Sequence, residues 1–175
     1  NTFSQLYVSS NGALTFNSGK SSSQYAMTIP NPSNPNNVIA FAWDDLESIR
    51  VRYQVTGTAP NRRFVLDFDG VHYPMSSGYL VKAQVHLFET TNIVELHIAR
   101  IDDDASTTPL TMGIENGNGS VGLSPPGRNY VNFPAITNEA WRFSYPQLTG
   151  PFTYSWSPTT GLNNPNIANP IAKPN

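Results

Sequence analysis

The 175-residue sequence contains no cysteine, which excludes disulfide bonds, a thiol nucleophile and a zinc–thiolate site. Charged residues make up only 13% of the chain. The net charge of −2 excludes a general nucleic-acid binder, because such a protein needs a basic surface. No apolar run approaches the roughly 20 residues that a bilayer-spanning helix requires. The chain begins at Asn1 without a recognisable signal peptide, and we expect it to be a piece of a larger protein.

The polar residues of the chain are mainly uncharged Asn, Ser and Thr. The chain also contains 15 prolines, 12 glycines and 11% aromatic residues. This composition favours strands, turns and long polar loops over helices. A polar surface without cysteine is typical of a secreted bacterial protein, so we expect a secreted, extracellular location.

Apolar and polar residues alternate with a period of two along most of the chain. In residues 49–55, 81–87 and 94–98 every second residue is apolar, which predicts strands with one buried and one exposed face. Residues 90–92 predict the hairpin loop between the last two. Further strands are predicted at residues 6–9, 13–16, 38–43, 64–68, 110–115 and 141–145. We therefore predict an all-β protein, an antiparallel β-sandwich of the jelly-roll or immunoglobulin-like kind.

The inward members of these alternations predict the core, and the strand at 38–43 is expected to be buried on both faces. The predicted core residues are Phe41, Trp43, Phe64, Leu66, Val85, Leu87, Leu96 and Ile98. Two long polar segments, residues 18–37 and 116–134, are predicted loops. A loop as long as the first is either functional or laid along the surface as extended chain.

A domain boundary is predicted near residues 147–151. Residues 1–146 form the predicted sandwich module, 147–151 a linker, and 152–175 the incomplete start of an immunoglobulin-like domain. Residues 152–156 show the alternation of a new strand, but about 24 residues are too few to form a core of their own.

The tail, with Tyr154-Ser155-Trp156-Ser157-Pro158 and then residues 161–166 (Gly-Leu-Asn-Asn-Pro-Asn), resembles the opening of PKD-like, immunoglobulin-type repeats. Such repeats occur in very large surface proteins of gliding Bacteroidota, which are exported by the type IX secretion system and include gliding adhesins. The resemblance implies a bacterial cell-surface location and further repeats as neighbouring domains.

The main module is similar to nidogen-like domains. The elements that carry this resemblance, in chain order, are residues 8–12, 38–46, 49–54, 83–89 and 112–116. The resemblance implies an extracellular adhesion or spacer module and brings no catalytic residues with it.

Two groups of acidic residues are candidate ligand sites. Trp43-Asp44-Asp45 predicts either a sugar or calcium site or a structural turn. Carboxylates beside an indole can hold a cation or a sugar hydroxyl, but neighbouring strand residues point to opposite faces and do not easily converge on one ligand. Asp102, Asp103 and Asp104 form either a solvated acidic loop or a weak calcium site, since the run lacks the alternation of common calcium loops.

Four tyrosines lie in predicted loops, and exposed tyrosine rings are common platforms for sugars. They are Tyr25, Tyr73, Tyr79 and Tyr130, of which we take Tyr73 and Tyr130, with Trp43, Asp44 and Asp45, as the candidate ligand residues. Surface glycans are therefore predicted partners, alongside neighbouring domains of the same chain.

Three histidines are the natural candidates for catalysis: His72, His86 and His97. His86 and His97 are predicted on the polar faces of neighbouring strands as a cross-strand pair, for which exposed strand histidines are the ordinary explanation. Glu89, Glu95 and Glu115 do not form a recognisable glycosidase pair, and no common catalytic motif is present. We predict a non-enzymatic adhesion or spacer module. We predict no cofactor, and calcium is the one ion that these acidic residues leave open. The alternative is a carbohydrate-binding module of a secreted hydrolase.

Overall fold

The structure is a computed structural model that describes residues 3–17, 25–73, 78–102, 109–132, 134–145 and 153–173. The chain divides into two units, Asn1–Tyr145 and Pro146–Asn175. The described residues form eleven strands and no helix. They therefore contain no helix that is long and apolar enough to cross a membrane. The strands are β1 (Tyr7–Val8), β2 (Ala13–Thr15), β3 (Val38–Trp43), β4 (Leu46–Thr56), β5 (Arg63–His72), β6 (Leu80–Phe88), β7 (Val94–Ile101), β8 (Leu110–Glu115), β9 (Gly122–Leu123), β10 (Asn129–Val131) and β11 (Ile136–Phe143).

The strands of the first unit form two antiparallel sheets. The first sheet has the order β1-β2-β3-β8-β10, with β9 also paired to β8, and the second has the order β11-β7-β6-β5-β4. The sheets face each other, with β3 lying over β6 and β7. A continuous apolar core, which includes Phe41, Leu66, Phe68, Val85, Leu96, Ile98 and Met112, fills the space between them. The prediction of an all-β antiparallel sandwich is confirmed.

The alternation predicts the core well in the middle of the second sheet and less well at one end of it. Leu66, Val85, Leu96 and Ile98 are buried, but Phe64 and Leu87 are only partly buried. Phe64, Leu87, Val94 and Phe143 pair across neighbouring strands as one row, and all four are partly buried. Phe64 and Leu87 therefore pack against the core as inward residues, but the prediction that they belong to the buried core itself holds only in part.

The prediction that the odd-numbered face of residues 49–55 is buried is also wrong. Ile49, Val51, Tyr53 and Val55 are 59%, 41%, 75% and 53% exposed. Cross-strand pairing places Val51 and Tyr53 beside the buried Phe68 and Leu66, so these side chains do lie on the inward side of the sheet, whereas Ile49 lies at a register shift in the pairing with β5. β4 is the edge strand of that sheet, and the exposure of these side chains shows that the covering layer ends before it.

β3 is buried on both faces, as expected, and a bulge within it decides where Trp43 lies. Ile39, Phe41 and Ala42 belong to the core between the sheets, whereas Val38, Ala40 and Trp43 belong to a second cluster on the outer side. The pairing with β8 shifts register between Ala40 and Trp43. The extra residue changes the phase of the alternation, so Trp43 points outward with Val38 and Ala40.

Gly12, directly before β2, accepts two backbone hydrogen bonds from the bulged part of β3. Its carbonyl oxygen accepts from the backbone N–H groups of Phe41, at 3.0 Å, and Ala42, at 3.1 Å. Its φ is +74°, and a Cβ atom at this position would lie 2.1 Å from the carbonyl oxygen of Ala42. Both the left-handed backbone and the close approach require glycine at position 12.

The segment 25–37 covers the outer face of the first sheet. Ala26 and Ile29 complete the cluster around Trp43. The backbone N–H of Ile29 donates to Oδ1 of Asn129 at 2.8 Å, and that of Asn31 donates to Oε2 of Glu115 at 2.6 Å. Burial raises the pKa of Glu115, and the bond from Asn31 opposes this effect. This described part of the predicted loop at 18–37 is thus extended chain on the surface.

The prediction of a continuous loop at 116–134 is wrong in part, because this segment contains β9 and β10.

In the second unit, residues 153–173 are held by local hydrogen bonds. The backbone N–H of Trp156 donates to the carbonyl of Pro165 at 3.0 Å, and its indole Nε1 donates to the carbonyl of Ile167 at 2.9 Å. Leu162 and Ala172 form an isolated antiparallel bridge. A strand is predicted at 152–156, of which the structure describes residues 153–156. These residues do not form a strand, and Trp156 instead forms its hydrogen bonds with a turn. The linker at 147–151 lies outside the described residues, and the start of an immunoglobulin-like domain stays a prediction.

Candidate functional site

The structure places Trp43 and Asp44 inside the protein and Asp45 closer to its surface. Trp43 is 2% exposed and Asp44 is 3% exposed. The Oδ2 atom of Asp44 lies 3.3 Å from Nδ1 of His72, at the end of β5. The backbone N–H of Tyr73 donates to the carbonyl of Asp45 at 2.9 Å. A ligand site at Trp43, Asp44 and Asp45 stays a prediction, and the buried indole contributes to packing.

Tyr73 and Tyr130 are exposed, at 61% and 46%, and both adjoin the end of β3. Tyr73 does so through its bond to Asp45. The backbone N–H of Tyr130 donates to Oγ1 of Thr111 at 3.1 Å, and Thr111 pairs with Trp43. The predicted ligand residues therefore belong to one end of the sandwich, where the two tyrosines supply the exposed rings.

Asp102 is held by hydrogen bonds in the described structure. Its carboxylate accepts from Nε of Arg100 at 2.6 Å and from the backbone N–H of Leu80 at 2.9 Å. The hydrogen bond from Arg100 lowers the pKa of Asp102. Asp103 and Asp104 lie outside the described residues, so calcium binding at this run stays a prediction.

One exposed apolar feature of the first unit is the apolar row of β4, which consists of Val51, Tyr53 and Val55. The Tyr53 ring stacks on Phe64, with centroids 5.8 Å apart and an angle of 18° between the planes. β4 is a sheet edge, and the described strands pair with it only through β5. An exposed apolar edge strand of this kind favours pairing with another chain. Sequence alternation does not reveal it, because the pattern is the same as that of a buried strand.

The outward face of the second sheet is polar and carries a shallow depression of about 560 Å³. Ion pairs cross it between β4 and β5: Arg50 pairs with Asp69, and Arg52 pairs with Asp67 at 2.8 Å. Hydrogen bonds from Arg52 and then from Gln84 lower the pKa of Asp67. These pairs fix the side chains of the face in a connected network.

On this polar face lies a histidine cluster, which consists of His86 on β6 with Glu95 and His97 on β7. His86 is directly opposite Glu95, and the centroids of the His86 and His97 rings lie 4.3 Å apart, which agrees with the predicted cross-strand pair. The expectation that both histidines are exposed is wrong for His86, which is only 9% exposed. One nitrogen or oxygen from each of the three residues lies within 4.8 Å of the others. Sequence reasoning included Glu95 only as a candidate acid, because its place between the histidines depends on strand register.

The family model described as NIDO related matches residues 1–161. The match spans all of the first unit and extends into the second. No curated protein matches the chain significantly, and no solved structure does so either. The matched region contains both sheets and agrees with the nidogen-like resemblance of the sequence. The chain therefore belongs to the NIDO-related family of extracellular-type β modules.

Proposed function

We propose that the chain is a non-enzymatic module of a large extracellular protein and that it works in adhesion or as a spacer. The observation that carries this proposal is the apolar row of β4. Its three side chains are between 41% and 75% exposed, on an edge strand of 11 residues. An exposed apolar row at a free sheet edge is unfavourable in water and suited to contact with another protein.

The contact that fits this edge is the addition of a partner strand. Main-chain hydrogen bonds supply affinity in this mode, and alternate side chains supply specificity. On the other face of β4, the side chains of Arg50 and Arg52 pair with Asp69 and Asp67 but remain 51% and 62% exposed, so they can also contact a partner. The partner is therefore an extended protein segment in which apolar side chains, which cover the row, alternate with acidic side chains, which face the arginines.

The biological setting of this proposal is a bacterial cell surface. The resemblance of the tail to PKD-like repeats supports a parent protein with a tandem array of such domains, exported by type IX secretion and active as a gliding adhesin. Membership of an extracellular-type family supports the same location. Neighbouring domains of the parent protein are then partners of the chain.

The second candidate function is a carbohydrate-binding module of a secreted hydrolase. Tyr73 and Tyr130 favour it, because both rings are exposed at one end of the sandwich and can stack on sugars. In this case the surface partner is a glycan and the site lies away from β4.

A peptide titration separates the two candidates. The probe is a fluorescent 11-residue peptide in which Val and Glu alternate, and its control has the same composition in two blocks. We expect the alternating peptide to bind at least about tenfold more tightly, since only it presents one apolar and one acidic face. The double variant Val51→Lys/Tyr53→Lys should abolish the difference, whereas the matched variant Tyr73→Lys should retain it. Equal binding of both peptides, together with glycan-array binding that Tyr73→Lys removes, would favour the carbohydrate-binding alternative.

A further inference from the structure

The protonation of His86 follows from the side chains around it. The Nε2 amide nitrogen of Gln84 donates to Oδ1 of Asp67 at 3.0 Å, so the amide oxygen of Gln84 points the other way. That oxygen lies 3.1 Å from Nε2 of His86. An amide oxygen only accepts, so Nε2 of His86 must carry the proton.

The other nitrogen of His86 is then left as a lone pair in a buried position. Burial lowers the pKa of His86, the nearby His97 and Arg63 lower it further, and Glu95 raises it. Its Nδ1 atom is buried without a hydrogen-bond partner, in a residue that is 9% exposed. The nearest carboxylate oxygen, Oε2 of Glu95, is 3.8 Å away. A buried lone pair that faces a carboxylate is unfavourable, and a metal ion between the two atoms would satisfy both.

His97 completes a set of three ligands around the same oxygen. Its Nε2 atom lies 3.0 Å from Oε2 of Glu95. Zn²⁺ binds nitrogen and oxygen at about 2.0–2.2 Å, so ligand atoms of a tetrahedral site are about 3.3–3.5 Å apart. The separations of 3.0 and 3.8 Å lie on either side of this value, and all three ligand atoms lie within 4.8 Å of one another. Side-chain rotation, chiefly of His97, which is 42% exposed, would bring the three atoms to metal-ligand spacing.

We propose that His86, Glu95 and His97 bind a divalent transition-metal ion, with Zn²⁺ as the fitting ion, on the outward face of the second sheet. Nδ1 of His86, a carboxylate oxygen of Glu95 and Nε2 of His97 are the ligands. The His97 side chain is 42% exposed, so an ion can reach this cluster from solvent. Two imidazoles and a carboxylate favour Zn²⁺ over Ca²⁺, which prefers six to eight oxygens.

The residues behind the ligands support this assignment. The chain Arg52–Asp67–Gln84 holds the proton on Nε2 of His86 and turns Nδ1 towards the site. Nε of Arg142 lies 3.5 Å from Oε1 of Glu95 and orients the carboxylate from its other side. Ligand histidines commonly donate their second N–H to such a partner, and the loss of that partner weakens metal affinity about 10–100-fold.

The test is a Zn²⁺ titration of the full chain with no histidine tag, followed by calorimetry and by competition with a chromophoric chelator. We expect one Zn²⁺ per chain, and an affinity at least about tenfold lower in His97→Gln and in Glu95→Gln. The matched control Glu47→Gln, on β4 of the same sheet, should bind as the wild type does. Excess Ca²⁺ should not compete.

A second measurement does not depend on metal affinity. Nitrogen NMR of the metal-free chain should show His86 with its proton on Nε2, and Zn²⁺ should shift the Nδ1 resonance. Circular dichroism of His97→Gln, whose side chain is half exposed, should show an unchanged fold. The absence of 1:1 binding, unchanged affinity in both ligand variants, or a proton on Nδ1 would overturn the proposal.

Discussion

The Nδ1 atom of His72 lies 3.3 Å from the Oδ2 atom of Asp44, and the two side chains are only 2% and 4% exposed. Asp44 directly follows β3 of the first sheet, and His72 ends β5 of the second. The pair therefore connects the two sheets at a buried point and gives Asp44 a structural role.

We expect Asp44 and His72 to be coupled in stability. Asp44→Asn and His72→Gln should each destabilise the first unit by about 1–3 kcal/mol, because each change leaves a buried polar partner poorly satisfied. In a double-mutant cycle measured by urea unfolding, the coupling energy should be at least about 0.5 kcal/mol. Strictly additive single changes would show that the two side chains do not interact.

Trp43 should contribute strongly to stability. Trp43→Ala removes the largest side chain of the cluster beneath segment 25–37 and should cost about 3–5 kcal/mol. The control is Trp156→Ala, an indole that is 46% exposed in the other unit, which should leave the unfolding of the first unit unchanged. A loss below about 1 kcal/mol for Trp43→Ala would mean that segment 25–37 does not cover the indole.

The apolar row of β4 should contribute little to the stability of the isolated chain. Val51→Thr, at a residue that is 41% exposed, should change the unfolding free energy by no more than about 0.5 kcal/mol. The same change at Val85, which is 1% exposed on β6, should cost about 1–3 kcal/mol because it buries a hydroxyl. Equal costs at the two positions, measured by chemical denaturation, would contradict the exposure of β4.

Glu89 should stabilise the hairpin loop between β6 and β7 in a pH-dependent way. Hydrogen bonds from Arg62 lower the pKa of Glu89 from 4.5 to about 2. Because the folded-state pKa is lowered, the stabilisation is complete above the unfolded-state pKa and is lost as the pH falls through the folded-state pKa. The difference in melting temperature between the wild type and Glu89→Gln should therefore shrink between pH 4.5 and pH 2. A constant difference would show that the Arg62–Glu89 pair does not form in solution.

Much of the fold is predictable from the sequence, because a period of two identifies strands without knowledge of their neighbours. The strands at 81–87 and 94–98 have the predicted inward residues, with Val85 and Leu96 fully buried. In β4, alternation correctly indicates which side the apolar row faces. It does not indicate how far the opposite sheet extends, so the burial of the row was predicted wrongly.

The candidate sites depend even more on tertiary structure. The outward position of Trp43 depends on a bulge that Gly12 supports from a distant turn. The histidine cluster depends on the register that places Glu95 opposite His86. The bulge has no signal in local sequence, because it is set by pairing between separate segments. Alternation around the hairpin loop does predict the His86 and His97 pair, but it does not give the register that places Glu95 with them.

The most direct test of the proposed function is amide hydrogen exchange of the full chain with and without the alternating Val/Glu peptide. Strand addition to β4 predicts that the peptide slows exchange within Leu46–Thr56 and leaves the amides of Tyr73 and Tyr130 unchanged. Exchange that is unaffected in β4, or protection that appears only around Tyr73 and Tyr130, would contradict a contact surface on β4.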